Sequence, residues 1–130
     1  MENIGCATCF GDDASEAVTH LRSLVHDVSI VDESHFMVRI IACGLCKQQF
    51  ASVFCERIDW TGGNDPTETL YIPVSKVEAD GLVAAGEAGA EPALHVLSGP
   101  RRYLVRFWPS AVAEAAVTFT TALVHVPRHD

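Results

Sequence analysis

The sequence predicts an α+β protein: one domain over residues 1–130, with a small, mainly antiparallel sheet, one principal packed helix and a four-cysteine site at one end. Three observations predict this. Apolar residues recur at helical spacing over 13–26. Four stretches rich in β-branched and aromatic residues read as strands, over 35–42, 49–60, 69–74 and 102–108. Two CxxC pairs, Cys6 with Cys9 and Cys43 with Cys46, are separated by 33 residues. A chain of 130 residues is one domain's length and can bury a core without an obligatory staple. With 48% hydrophobic and 20% charged residues it has a globular rather than a disordered composition.

Taken in order, residues 1–11 carry the first cysteine pair. In "DDASEAVTHLRSLVHD", Ala14, Ala17, Val18, Leu21, Leu24 and Val25 form one apolar stripe. Asp13 can cap its first turn, with Glu16 three residues on as in a capping box. His20 falls on the polar side near Glu16 and reads as surface. "SHFMVRIIAC" and "QFASVFCERIDW" read as two strands joined by "CGLCKQ", which puts the second cysteine pair at a hairpin tip. "TGGNDPTET" is a loop by its punctuation. "TLYIPV" is a short strand whose Pro73 argues for an edge or an end. Ser75 with Glu78 repeats the capping box and opens a weak helix to about Ala85. "GEAGAEP" reads as a flexible connector over 86–92. "RRYLVRFWP" is a strong strand; beyond Pro109, "SAVAEAAV" looks helical and "VTFTTALVHV" extended.

A CxxC turn sets two sulfurs on one side of a tight loop, and two such turns can close a tetrahedron of thiolates, the soft ligands zinc accepts. Gly44 and Gly11 can supply unusual backbone angles in these turns. The pattern resembles the zinc-ribbon and rubredoxin class of knuckle sites. The resemblance covers Cys6 with Cys9, Cys43 with Cys46, and the hairpin around the second pair. It implies one structural zinc per chain, tying the two turns together. Phe10 and Lys47 stand where the commonest knuckle has a glycine after its second cysteine. Iron fits the same geometry. Dithiol redox chemistry is the main rival. It is disfavoured because "CGLC" runs into a strand, and because "CATC" is separated from its helix by "FGDD", whose aspartates would raise thiol pKa values. Unmetallated core cysteines are the remaining alternative. Cys55, midway along a strand, reads as a small buried hydrophobe. His26 and His35 read as ordinary imidazoles.

Glu56, Asp59, Asp65 and Glu68 surround "DWTGGNDPTE". This acidic loop matches no known cation or hydrolase spacing, and Asp65 before Pro66 suits a solvated turn. Trp60 beside Gly62 and Gly63 can be a partner-binding anchor together with these four acids, or a lid on the core.

The formal charge is −8, from 17 acidic residues against 9 Lys and Arg. Nucleic acid and anionic membrane both reward positive surface, so neither is expected as a partner, and a basic protein is. No apolar run reaches transmembrane length, and "MENIGCATC" has no Sec-type pattern. A reducing cytoplasm is therefore expected, where paired cysteines favour metal over disulfide. Four thiolates leave no open position for a metal-bound water, and no GxSxG, GxGxxG, P-loop or HExxH pattern occurs. The function expected is a non-enzymatic, zinc-stabilised, protein-binding adaptor or inhibitor. The alternatives are a small enzyme or thiol redox protein using the acidic loop or a CxxC pair, and a nucleic-acid-associated ribbon.

Overall fold

A computed structural model describes residues 4–24, 26–60, 62–63, 65–109, 114–127 and 129. Two helices, α1 (Ala7–Phe10) and α2 (Ala14–Arg22), precede four strands: β1 (His26–Asp32), β2 (Phe36–Ala42), β3 (Gln49–Glu56) and β4 (Thr67–Val74). Helix α3 (Lys76–His95) follows, then β5 (Arg101–Trp108) and β6 (Ala116–Ala122). The strands form one antiparallel sheet in the order β1-β2-β3-β4-β5-β6, so every strand pairs with its neighbour in sequence. This is the α+β fold the sequence predicts, with β1 added and with β6 in the stretch after Pro109 that reads as extended.

The pleat divides the side chains between two cores. One face carries Val38, Ile40, Ala51, Val53, Leu70 and Ile72 and is covered by α3 through Ala79, Leu82, Ala90 and Leu94. The other carries Ile41, Phe50, Tyr71 and Leu104 and is covered by Ala17, Val18 and Leu21 of α2. Among the described residues, the two longer helices thus pack one on each face, with the short α1 beside α2.

The 13–26 helix is shorter than expected. Asp13 does cap it, accepting from the Glu16 N–H at 3.0 Å, but Ser23 ends it by donating to the His20 carbonyl. The chain then turns into β1; Val25 lies outside the described residues. Strand β1 is hard to see in sequence because register shifts between His26 and Val28, and between Ser29 and Val31, interrupt its alternation. The second expected strand stops at Glu56, where Arg57 N–H donates to the Pro66 carbonyl and closes the loop over 57–66. Of the two readings for Pro73, the end holds and the edge does not: β4 is an interior strand that stops at Val74. Pairing with β5 ends at Tyr71, so no partner there needs the missing N–H.

The connector expected over 86–92 is helical. Gly86, at φ 70°, breaks α3 where the sequence suggested an end, but the helix resumes and turns Ala90 and Leu94 into the core. Of the expected helix in "SAVAEAAV", 110–113 lie outside the described residues, and Ala116 and Val117 belong to β6.

Candidate metal centre and the acidic loop

The first cysteine pair is built on a single turn of helix. Cys6 is the N-cap of α1: its sulfur accepts from the Cys9 N–H, and the Cys9 sulfur accepts from the Cys6 N–H at 3.3 Å. "CATC" is therefore itself helical, rather than a loop leading to a helix. Gly5 makes the entry possible. It sits at φ 67°, and a Cβ there would come within 2.6 Å of Phe10 Cβ and 2.9 Å of the Cys9 sulfur. Phe10 anchors the turn by edge contact with Phe119. Arg102 clamps its end, donating to the carbonyls of Phe10 and Gly11 at 3.1 and 2.6 Å with its guanidinium over the Phe119 ring.

The second pair sits in the β2–β3 turn. Cys43 N–H donates to the Gln48 carbonyl and Lys47 N–H to the Cys43 carbonyl. Lys47 takes φ 67°, so the lysine adopts the left-handed angle for which a glycine is the usual choice. Gly44, expected to relieve the turn, has open space at its Cβ position and no positive φ.

The two turns bring Cys6, Cys9, Cys43 and Cys46 together, with all four sulfurs within 4.8 Å of one another. The separations are 3.7 Å for Cys6–Cys9, 3.9 Å for Cys6–Cys43 and 3.6 Å for Cys9–Cys46. A regular tetrahedron with metal–sulfur bonds of about 2.3 Å has edges of about 3.8 Å. The sulfurs therefore already stand where a tetrahedral ion would want them, and are far beyond the roughly 2 Å of a disulfide. Cys9 and Cys43 are fully buried, while Cys46 reaches the surface. The electrostatics suit a cation. The N–H groups of Cys9 and Thr8 hold the Cys6 thiol down to about 7. Burial pushes the Cys9 and Cys46 thiols up, so without a cation they keep their protons.

His20 is the site residue that sequence reasoning missed. Its Nε2 lies 3.4 Å from the Cys43 sulfur, close enough for an N–H to share the charge of a thiolate. Its place on the polar side of the α2 stripe gave no hint, because the partner comes from the β2–β3 turn. Cys55 is buried on the α3 face among Val53 and Leu70, away from the cluster.

The four acids grouped in sequence do not form one cluster in space. Glu56 pairs with His35 at 2.7 Å. Glu68 is opposite Cys55 in the β3–β4 register, which puts it on the α3 face, whereas Glu56 is one residue on and points the other way. Burial raises the Glu68 carboxyl, against the pull of His125. Asp65 accepts from the Asp59 N–H, and Asp59 from the Gly62 N–H, each at 2.8 Å, so both brace the loop. Trp60, on that loop, is 89% exposed and is not a lid on the core. Among the described residues no helix is long and apolar enough to cross a membrane. No family model, curated protein or solved structure matches this chain.

Proposed function

We propose that the chain is a non-enzymatic, protein-binding adaptor or inhibitor whose four cysteines hold one structural zinc ion and whose 57–66 loop presents Trp60 to a basic protein. The observation that carries the metal half is the set of sulfur separations, which match a closed tetrahedral shell. For the binding half it is Trp60: an exposed tryptophan on a loop pre-braced by Asp59 and Asp65 loses little entropy on docking. The −8 charge would steer a basic partner toward it.

Trp60→Ala should change stability by no more than about 0.5 kcal/mol, since the ring is exposed. It should speed dissociation from a captured partner by about 30-fold, as for a hot-spot residue. Asp59→Asn with Asp65→Asn keeps both side-chain oxygens as acceptors and removes two charges. That pair should slow association and flatten its salt dependence. Stability and surface-plasmon kinetics on the same variants check this. An acidic partner, or dissociation indifferent to Trp60→Ala, would defeat the reading.

One feature favours a thiol redox protein as a second reading. Cys6, at a helix start with its thiol held near 7, faces a buried Cys9. A redox pair has no use for two further sulfurs at 3.9 and 3.6 Å, however. Zinc-loaded protein should resist alkylation at all four cysteines and alkylate after chelation. A Cys6–Cys9 disulfide forming readily in the presence of zinc would favour the redox reading instead.

A further inference from the structure

The sheet face that carries α2 is only half covered. Helix α2 lies toward β5 and β6, and beside it the face opens into a groove of about 330 Å³. The register lays two rows of side chains across its floor. Arg39, Ser52 and Tyr71 form one row, and Phe54, Thr69 and Arg106 the next. Arg22, the last residue of α2, stands on the wall.

Charge sets this groove apart from the rest of the molecule. The chain has 17 acidic residues against 9 Lys and Arg, yet three arginines line the groove and, among the described residues, no carboxylate does. Elsewhere Arg101 pairs with Glu78, Lys76 with Asp80, and Arg102 donates to two carbonyls. Among the described residues, Arg22, Arg39 and Arg106 form no ion pair. The fields of Arg22 and Arg106 both reach Tyr71, where they oppose the upward push of burial on its hydroxyl.

Arg39 is the decisive residue. Its Nε is buried with no hydrogen-bond partner, and the contact found for its guanidinium is Nη2 to the Met37 sulfur at 3.5 Å. A guanidinium edge taken from water without an acceptor is costly, and native proteins seldom leave one so. Nη2 thus donates only to a thioether, a weak acceptor that the oxygen of an anion entering the groove would improve on.

We propose that this groove binds a small phosphate monoester with a single-ring or similarly sized apolar body. Three guanidinium groups and the hydroxyls of Ser52, Thr69 and Tyr71 offer more donors than the two oxygens of a carboxylate can accept. A phosphate presents three oxygens and up to two negative charges, and arginine's fork matches them in pairs. Leu24, Met37 and Phe54 give the groove an apolar wall for the rest of the molecule. The volume is at the small end of the roughly 300–1,000 Å³ of ligand sites, too little for a dinucleotide. This site is independent of the Trp60 loop, so either can fail without the other.

Phenyl phosphate, inorganic phosphate and benzoate titrated into the intact, zinc-loaded chain provide the test, by calorimetry and by ligand-induced shift in Tm. Phenyl phosphate should bind more tightly than either of the others, with a Kd of about 1 mM or below. Arg39→Met should weaken it by about 10- to 100-fold without lowering the Tm of the unliganded protein, because it removes a half-buried guanidinium that has no ion pair. Arg22→Gln, at an exposed position, should weaken binding and leave the fold intact. No binding by phenyl phosphate overturns the proposal. So does benzoate binding as tightly, which would assign the groove to carboxylates, or unchanged affinity in both variants.

Discussion

Cys43→Ser should abolish metal binding and cost several kcal/mol of stability. The Cys43 side chain is fully buried, 3.9 Å from the Cys6 sulfur and 3.4 Å from His20 Nε2, so it belongs both to the sulfur cluster and to the α2-side core. The binding energy of a structural zinc is folding energy, and three thiolates with a hydroxyl hold the ion far less well. Native mass spectrometry should give one zinc per wild-type chain and none for the variant. Cys55→Ser is the control. Burial, with Glu68 and Glu91 behind it, pushes the Cys55 thiol up to about 12, so it stays neutral on the far side of the sheet. That change should cost about 1–3 kcal/mol for an unpaired hydroxyl and leave the zinc content at one. A chelated wild-type chain melting at the holo temperature would refute the structural metal.

The second large effect is expected at Glu78. Its carboxylate receives both guanidinium nitrogens of Arg101 at 2.9 Å and caps the Ser75 N–H at 2.9 Å. Arg101 also donates to the carbonyls of Pro73 and Ser98, so one ion pair ties the end of β4, the start of α3 and the approach to β5. The side chains are 13% and 23% exposed. Glu78→Ala strands a largely buried guanidinium and removes the cap, and should cost about 2–4 kcal/mol, less than a fully buried pair because some water remains. The hydrogen bonds from Arg101 hold the Glu78 carboxyl below its usual range. A depressed folded-state pKa contributes stability that is fully present above the unfolded carboxylate value of about 4.3. That stability is lost as the pH falls through the lower folded value. Urea melts of wild type and Glu78→Gln should therefore differ at neutral pH and converge in acid. A gap that stays constant from pH 7 to pH 3 would contradict this assignment.

What could be read in the sequence, and what could not, divides along one line. The β2–β3 hairpin, the Asp13 cap, the Ser75–Glu78 capping box and the pairing of the cysteines are local or carried by rare residues, and these were legible. Strand β1 was not, because its bulges cancel the period-two signal just where Leu24 extends the α2 stripe. The second half of α3 was masked by Gly86, Gly89 and Pro92, although Ala90 and Leu94 keep helical spacing within it. Glu56 and Glu68 read as neighbours, but the strand pleat sends them to opposite faces. Arg22, Arg39 and Arg106 offered no pattern, because only strand register and the lie of α2 bring them to one groove. Likewise His20 meets Cys43 across a gap of 23 residues that no periodicity spans.

The sheet separates two apolar clusters, and the metal-site cysteines join only one of them, through Cys6, Cys9 and Cys43. The protein should therefore contain two units of unequal opening energy rather than a single cooperative block. Chelation should release α1 and α2 first, since Cys9 and Cys43 sit in their cluster, and should bare Phe50, Tyr71 and Leu104 to solvent. Amide exchange would then quicken in α1 and α2 while β3, β4 and α3 stay slow, and an environment-sensitive dye would find the uncovered face. Uniform acceleration across both units would show that they open together. Arg22 leaves with α2, so the groove proposed for phosphate would lose its wall by the same opening, and an ion held by the four sulfurs would govern access to a site it never touches.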